Sequence, residues 1–326
     1  MLTVYSLAAT GLKRLDRDTD APLPEEAVWL DLLEPTVEEE RLVEARLGVD
    51  VPTREEMREI ETSNRLYEEA GGLYLTATIV TKLDTMLPEN AQVTFILKGP
   101  RLVTNRYVDT LPFRRFAGYI ERHPQTNTTA PEVLVALLES IVNRIADVIE
   151  RASSDMDAVS TEVFDRKTMP SQRRAARRDF RKLLERIGQS GELISKARES
   201  LVSLSRLVVF VQQSTIPVPQ EVRTRLRTLS KDVVAMSDHA SFLGSNLNFM
   251  LDATLGMINI DQNNILKIFS VATVVLLPPS VIGAIFGMNF DKIPTAHEPW
   301  GFYGALLLMV LSAIIPSLVF KMRGWL

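Results

Sequence analysis

Seven residues near the C-terminal end, Asn263, Leu266, Ser270, Thr273, Leu277, Ser280 and Ala284, recur at spacings of three and four. On a helix of about 3.6 residues per turn, that spacing places them on a single stripe. The stripe mixes small polar groups with aliphatic ones. One helix cannot enclose a pore, but several copies around a symmetry axis can, each turning its stripe toward the axis. A second reading fits the same residues equally well, because Ser, Thr and Asn side chains also glue apolar helices together.

Material for other chemistry is thin. The 326 residues contain no cysteine, which excludes a disulfide scaffold, a thiolate metal site and a cysteine nucleophile. The three histidines, His123, His239 and His297, are too scattered to complete a metal site. No serine–histidine–acid arrangement and no GxxxxGK[ST] phosphate loop stands out. We therefore expect neither an enzyme nor an organic cofactor. A net charge of −4, from 37 Lys+Arg and 41 Asp+Glu, argues against nucleic acid as a partner. The local basic run Arg173–Arg186 has two readings: contact with anionic headgroups or nucleic acid, or a solvated helix face with Phe180, Leu183, Leu184 and Ile187 turned inward.

The elements that must carry the stripe are apolar. Ile268–Phe286 and Trp300–Phe320 run for 19 and 21 residues without a charge. A bilayer core needs about 20 apolar helical residues, so both qualify as transmembrane spans. The alternative is a buried hairpin of a soluble protein. Pro278, Pro279 and Pro316 interrupt the spans, which membrane helices tolerate when neighbours satisfy the freed carbonyls. Lys267 precedes the first span, and Lys321 and Arg323 follow the second. Basic outer flanks put both termini in the cytoplasm and the Gly287–Pro299 link outside. The N-terminus lacks a signal-peptide pattern.

Before the spans, residues 1–130 read as an α/β domain. LTVYSLA, AVWLDLL, GLYLTATIVTK, AQVTFILK and RLVTNRYV are strand-like runs. Thr36 with Glu39, and Thr53 ahead of Met57, read as helix starts. Residues 131–216 form two long antiparallel helices turning near Thr168–Ser171. A third helix starts after Pro217-Val218-Pro219 and continues through 217–288, its last part (about 268–288) being the first span. The outer loop is 289–299, the second span 300–320, and a basic tail occupies 321–326.

Gly287-Met288-Asn289-Phe290 ends the first span after a long stalk helix, with one more span and a basic C-terminus following. This arrangement resembles the CorA family of magnesium transporters. INIDQNNILKIFSVATVVLLPPSVIGAIFGMNF and the ending KMRGWL look like the enterobacterial members, and VWLDLLEPTVEEE with LGVDVPTREEM resembles the family's N-terminal domain. The resemblance implies a homopentameric funnel in the bacterial inner membrane, its pore lined by the first span. It assigns the selectivity filter to Gly287, Met288 and Asn289, and the pore lining to Asn263, Leu266, Thr273, Leu277 and Ser280. Asp291 and Glu298 then attract cations at the outer loop, and Asp84 and Asp252 match acids that bind regulatory Mg2+. A further stalk position carries Thr228 here, with Asp232 and Asp238 near it. Mg2+ is the implied substrate and regulatory ligand, with cobalt and nickel as further cargo. The outer loop departs from the family pattern: Ile293-Pro294-Thr295-Ala296 stands where Met-Pro-Glu-Leu is usual, and Asp291 where Glu is. That loop and His297 keep the family's zinc-transporting branch as the alternative. From another class, the rival is a cytoplasmic interaction or signalling domain tethered by an inert hairpin.

Overall fold

The computed structural model describes residues 1–15, 23–82, 88–164, 180–288 and 299–323. They fall into two compact units, Met1–Leu251 and Asp252–Leu326. The first is built on seven strands: β1 (Leu2–Ala8), β2 (Gly11–Leu15), β3 (Ala27–Leu33), β4 (Leu66–Glu69), β5 (Gly72–Thr81), β6 (Glu89–Lys98) and β7 (Arg101–Arg106). Their order in the sheet is β2-β1-β3-β7-β6-β5-β4. The pair β3 and β7 is parallel and the other pairs are antiparallel. β5 is buried at every position, as a strand covered on both faces must be.

Alternation along β3 sorts its side chains between two layers. Leu30 and Leu32 join Val43, Val49, Val51, Ile96 and Val103 in one core, under helix α1 (Val37–Leu47). Trp29 points the other way, stacked on Tyr5 at 4.3 Å and against Phe116 at 5.5 Å. Phe113 and Phe116 belong to α3 (Leu111–Arg122), an amphipathic helix that the strand-like runs do not announce.

Local start signals act as their chemistry predicts, to different extents. Thr36 caps α1: the Glu39 N–H donates to Thr36 Oγ1 at 3.3 Å, and the Thr36 N–H donates to Glu39 Oε2 at 3.0 Å. The same reciprocal bonds form between Thr53 and Glu56, but only a single 3-10 turn follows, Glu56–Arg58. Met57 is buried there while Ile60 stands 90% exposed, so no apolar stripe exists to propagate a helix. Gly11 shows a close approach. Its φ is +112°, and a Cβ there would sit 2.0 Å from the Pro124 carbonyl oxygen, to which the Leu12 N–H donates.

Two longer-range devices hold the sheet. Across the parallel pair, Arg106 grips Asp31 with both Nε (3.0 Å) and Nη2 (2.7 Å). Thr104 Oγ1 donates to Asp31, Trp29 Nε1 donates to Thr104, and the guanidinium lies 4.6 Å over the Phe113 ring. At the far edge, the pairing of β4 with β5 stops at Leu75. The bare backbone beyond is covered by α5 (Phe180–Gln213): the Thr78 N–H donates to Ser203 Oγ at 2.9 Å, and Ser200 Oγ donates to the Thr78 carbonyl at 3.0 Å.

Helix α4 (Ala130–Phe164) covers the sheet beside α5. Helix α6 (Gln220–Phe286) begins in this unit with Val222, Leu226, Leu229, Val233, Ala240, Leu243, Leu247 and Met250 buried. That three-and-four spacing makes a seam. Across it, Arg225 forms two hydrogen bonds with Glu139 of α4 (2.6 and 3.0 Å), and Phe249 stacks on Phe164. The turn expected near Thr168–Ser171, and Arg173–Asp179 of the basic run, lie outside the described residues. In the remainder of that run Leu183 and Ile187 are buried, and Arg186 pairs with Glu162 at 2.9 Å. In this described part the apolar side is turned inward, as a solvated helix face requires.

Candidate functional site

The second unit contains the rest of α6 and helix α7 (Gly301–Met322). Both are long and apolar enough to cross a membrane, and the apolar windows that qualify them are almost entirely unburied within the chain. Ile268 and Phe269 are each 68% exposed, and Leu276 is 64% exposed. Bare surface of this kind is what a lipid-facing or self-associating helix presents.

The two faces of α6 differ. Val271 is buried, and Val275, Pro278, Ile282, Gly283 and Phe286 are partly shielded. Those positions fall within one face at 3.6 residues per turn. On α7 the shielded positions include Ala305, Met309, Ser312, Ala313, Pro316 and Phe320, again at helical spacing. The faces meet where a Cβ placed on Gly283 would come within 2.8 Å of Met309 Cε, a close approach of the sort small residues permit between membrane helices. The sequence spacing alone does not single out Gly283.

The stripe Asn263, Leu266, Ser270, Thr273, Leu277, Ser280 and Ala284 lies on the opposite side of α6, exposed at every position. Its hydroxyls have a specific arrangement. Thr273 Oγ1 donates to the Phe269 carbonyl at 2.9 Å, and Ser280 Oγ donates to the Leu276 carbonyl at 2.8 Å. With their protons committed to the helix backbone, these oxygens are left as acceptors. A row of acceptors suits the O–H groups of water around a cation. Leu266 and Leu277, 63% and 58% exposed, interrupt the row with apolar bulk.

At its end α6 unwinds through a turn. The Gly287 N–H donates to the Gly283 carbonyl at 3.0 Å, and the Met288 N–H donates to that of Ile285 at 3.3 Å. A helix C-terminus carries roughly half a negative charge, so this end favours a cation. Asn289, Asp291, His297 and Glu298, with the 293–296 loop, lie outside the described residues, as does Asp84. Asp252 is exposed at the start of the unit. In the first unit Thr228 and Asp232 line a groove of about 620 Å³ between α4 and α6, while Asp238 is exposed elsewhere on α6. Among the described residues, no three His, Cys, Asp or Glu side chains gather into a metal site.

Comparison with known proteins gives a consistent picture. A family model described as CorA-like Mg2+ transporter protein matches residues 24–322. The magnesium transport protein CorA of Pasteurella multocida is 32% identical over the full length of both chains. That of Escherichia coli K12 is 30% identical, also over the full length. Among solved structures, the complete CorA magnesium transporter of Methanocaldococcus jannaschii superposes with a TM-score of 0.78 at 19% identity, covering 100% of this chain and 99% of that one.

Proposed function

The chain belongs to the CorA-like Mg2+ transporter family, and from that membership we propose that it conducts Mg2+ across a bacterial inner membrane through a pore made by α6 helices of five copies. Cobalt and nickel are further cargo. The observation that supports this reading is the two-faced character of α6: α7 shields one side, and the exposed stripe runs along the other. In a symmetric ring the second helix packs outside and the stripe faces the axis.

The chemistry follows from how magnesium behaves. Mg2+ gives up its water reluctantly, so a good pathway holds the hydrated ion without stripping it. Asn289, with Gly287 and Met288, forms a ring of neutral oxygens at the outer mouth. Asn263, Thr273 and Ser280 repeat that provision below it. Neutral acceptors bind weakly enough to let the ion leave, as conduction requires. Asp291 and Glu298 raise the local cation concentration at the mouth. Leu266 and Leu277 close the path by expelling water when the rings narrow. An inside-negative potential of 100 mV supplies about 2.3 kcal/mol per charge, hence about 4.6 kcal/mol for a divalent ion. Both termini then lie on the cytoplasmic side, with the outer loop opposite. Asp84 and Asp252 hold regulatory Mg2+, and an ion bound only in the closed state shifts the population toward closure.

The natural absence of cysteine makes the test direct. Single cysteines at Thr273, Ser280 and Val275 are exposed to a charged thiol reagent while Mg2+ uptake into vesicles is followed. Thr273→Cys and Ser280→Cys are expected to react and lose uptake, and Val275→Cys to stay unmodified. Reaction at Val275 with both stripe positions silent sinks the assignment of the pore face.

A further inference from the structure

A second site lies in the first unit, where β5 loses its strand partner. Ile60, α2 (Thr62–Arg65) and α5 frame an open cavity of about 450 Å³ beside the half of β5 that has no strand partner on that edge. That volume is within the range of small-molecule sites, about 300–1,000 Å³. Three arginines line it: Arg65 from α2, and Arg198 and Arg206 from α5. One carboxylate, Glu199, shares the rim, and its Oε2 already accepts from Asn90 Nδ2 at 2.6 Å. Among the described residues, neither Arg198 nor Arg206 has an ion-pair partner.

Arg65 is only partly satisfied in this setting. Its Nη2 donates to Thr78 Oγ1 at 2.6 Å, while its Nε is enclosed without a hydrogen-bond partner. Burial lowers its pKa, Glu199 partly restores it, and the charge of Arg206 lowers it again. Gathered and incompletely neutralised guanidiniums are what a phosphate complements, through short charge-assisted hydrogen bonds. Ser195 and Thr62 add hydroxyls to the lining. The rest of the lining mixes Thr76, Thr78 and Ser203 with Leu66, Ile60 and Val202, and the last two, 90% and 38% exposed, offer apolar surface to an organic group.

We propose that this cavity binds a soluble organic phosphate, the phosphate held by Arg65, Arg198 and Arg206 and the organic body resting on Ile60 and Val202. It is separate from the ion pathway and does not depend on it.

The probe is adenosine monophosphate, titrated calorimetrically into the full-length protein in detergent, in buffer free of Mg2+ and chloride. Saturable binding is expected, weakened at least about tenfold in Arg198→Gln/Arg206→Gln, the loss of one charge-assisted contact or more. Both arginines are exposed, so the variant keeps its fold, checked by an unchanged melting temperature. Inorganic phosphate is expected to bind at least about tenfold more weakly than the nucleotide, and adenosine weaker still. No binding, or equal binding by the variant, overturns the site. Inorganic phosphate as tight as the nucleotide overturns the organic wall, and adenosine as tight overturns the role of the arginines.

Discussion

Removing the carboxylate of Asp31 leaves the Arg106 guanidinium buried over Phe113 with its principal counter-charge gone. Burial alone opposes the charge on Arg106, and the bonds to Asp31 more than offset that, raising its pKa. Breaking a buried pair from one side costs about 3–5 kcal/mol, so Asp31→Asn is expected to lower the melting temperature sharply. A melting temperature within a degree or two of wild type, by circular dichroism, contradicts this. Glu39 gives a pH-dependent counterpart. Burial pushes its pKa up, but bonds from the Met1 ammonium, the Thr36 N–H and the Leu2 N–H bring it below the ordinary 4.5. A depressed carboxylate stabilises the fold above its unfolded pKa, and the contribution vanishes as pH falls through the folded value. Glu39→Gln is thus expected to cost about 1 kcal/mol at pH 7, the gap to wild type closing as the pH drops below 4.5. A gap that persists in acid assigns the loss to packing. The two residues also differ in how visible they are in sequence. Glu39 sits three positions from Thr36, a spacing that declares itself, whereas Asp31 meets Arg106 across 75 residues and only the sheet register joins them.

At the scale of elements, the α6–α7 contact turns on one glycine. Any side chain at Gly283 meets Met309 Cε, so Gly283→Leu is expected to destabilise the detergent-solubilised protein by about 1–3 kcal/mol through overpacking. Met309→Ala in the same chain restores it; failure of that rescue, or no loss in the single variant, shows that the helices do not meet there. Five of the strands are legible as Val-, Ile- and Thr-rich runs of six residues or more. β2 and β4 are not: they are short, and Lys13-Arg14 and Glu68-Glu69 give them a solvent-like composition. The covering of β5 by Ser200 and Ser203 is equally silent in sequence, since a serine in a helix announces no partner more than 120 residues away. For the same reason the three arginines of the cavity read singly as surface charges. The stripe was legible because it repeats along one helix. Its opposition to α7 was not, because that depends on which face of α6 the second helix covers.

For the molecule as a whole, α6 has a shielded side and a bare side, and the proposed conduction requires the bare side to meet its own copies. Leu277→Ala removes exposed bulk from the stripe without emptying a core, so the protomer is expected to keep its stability while the proposed apolar constriction loosens. Its conductance in planar bilayers is expected to exceed that of wild type; an equal or lower value removes Leu277 from the gate. Membership of the family and the α/β fold with two apolar C-terminal helices leave one physical question, whether this chain passes the ion. The direct measurement is Mg2+ entry into proteoliposomes under an imposed inside-negative potential, with Zn2+ offered separately and Asn289→Ala as the control. Mg2+ entry that rises with the potential, exceeds Zn2+ entry and is lost in Asn289→Ala is the predicted result. Absence of Mg2+ flux from correctly folded protein, or flux indifferent to the potential, contradicts it.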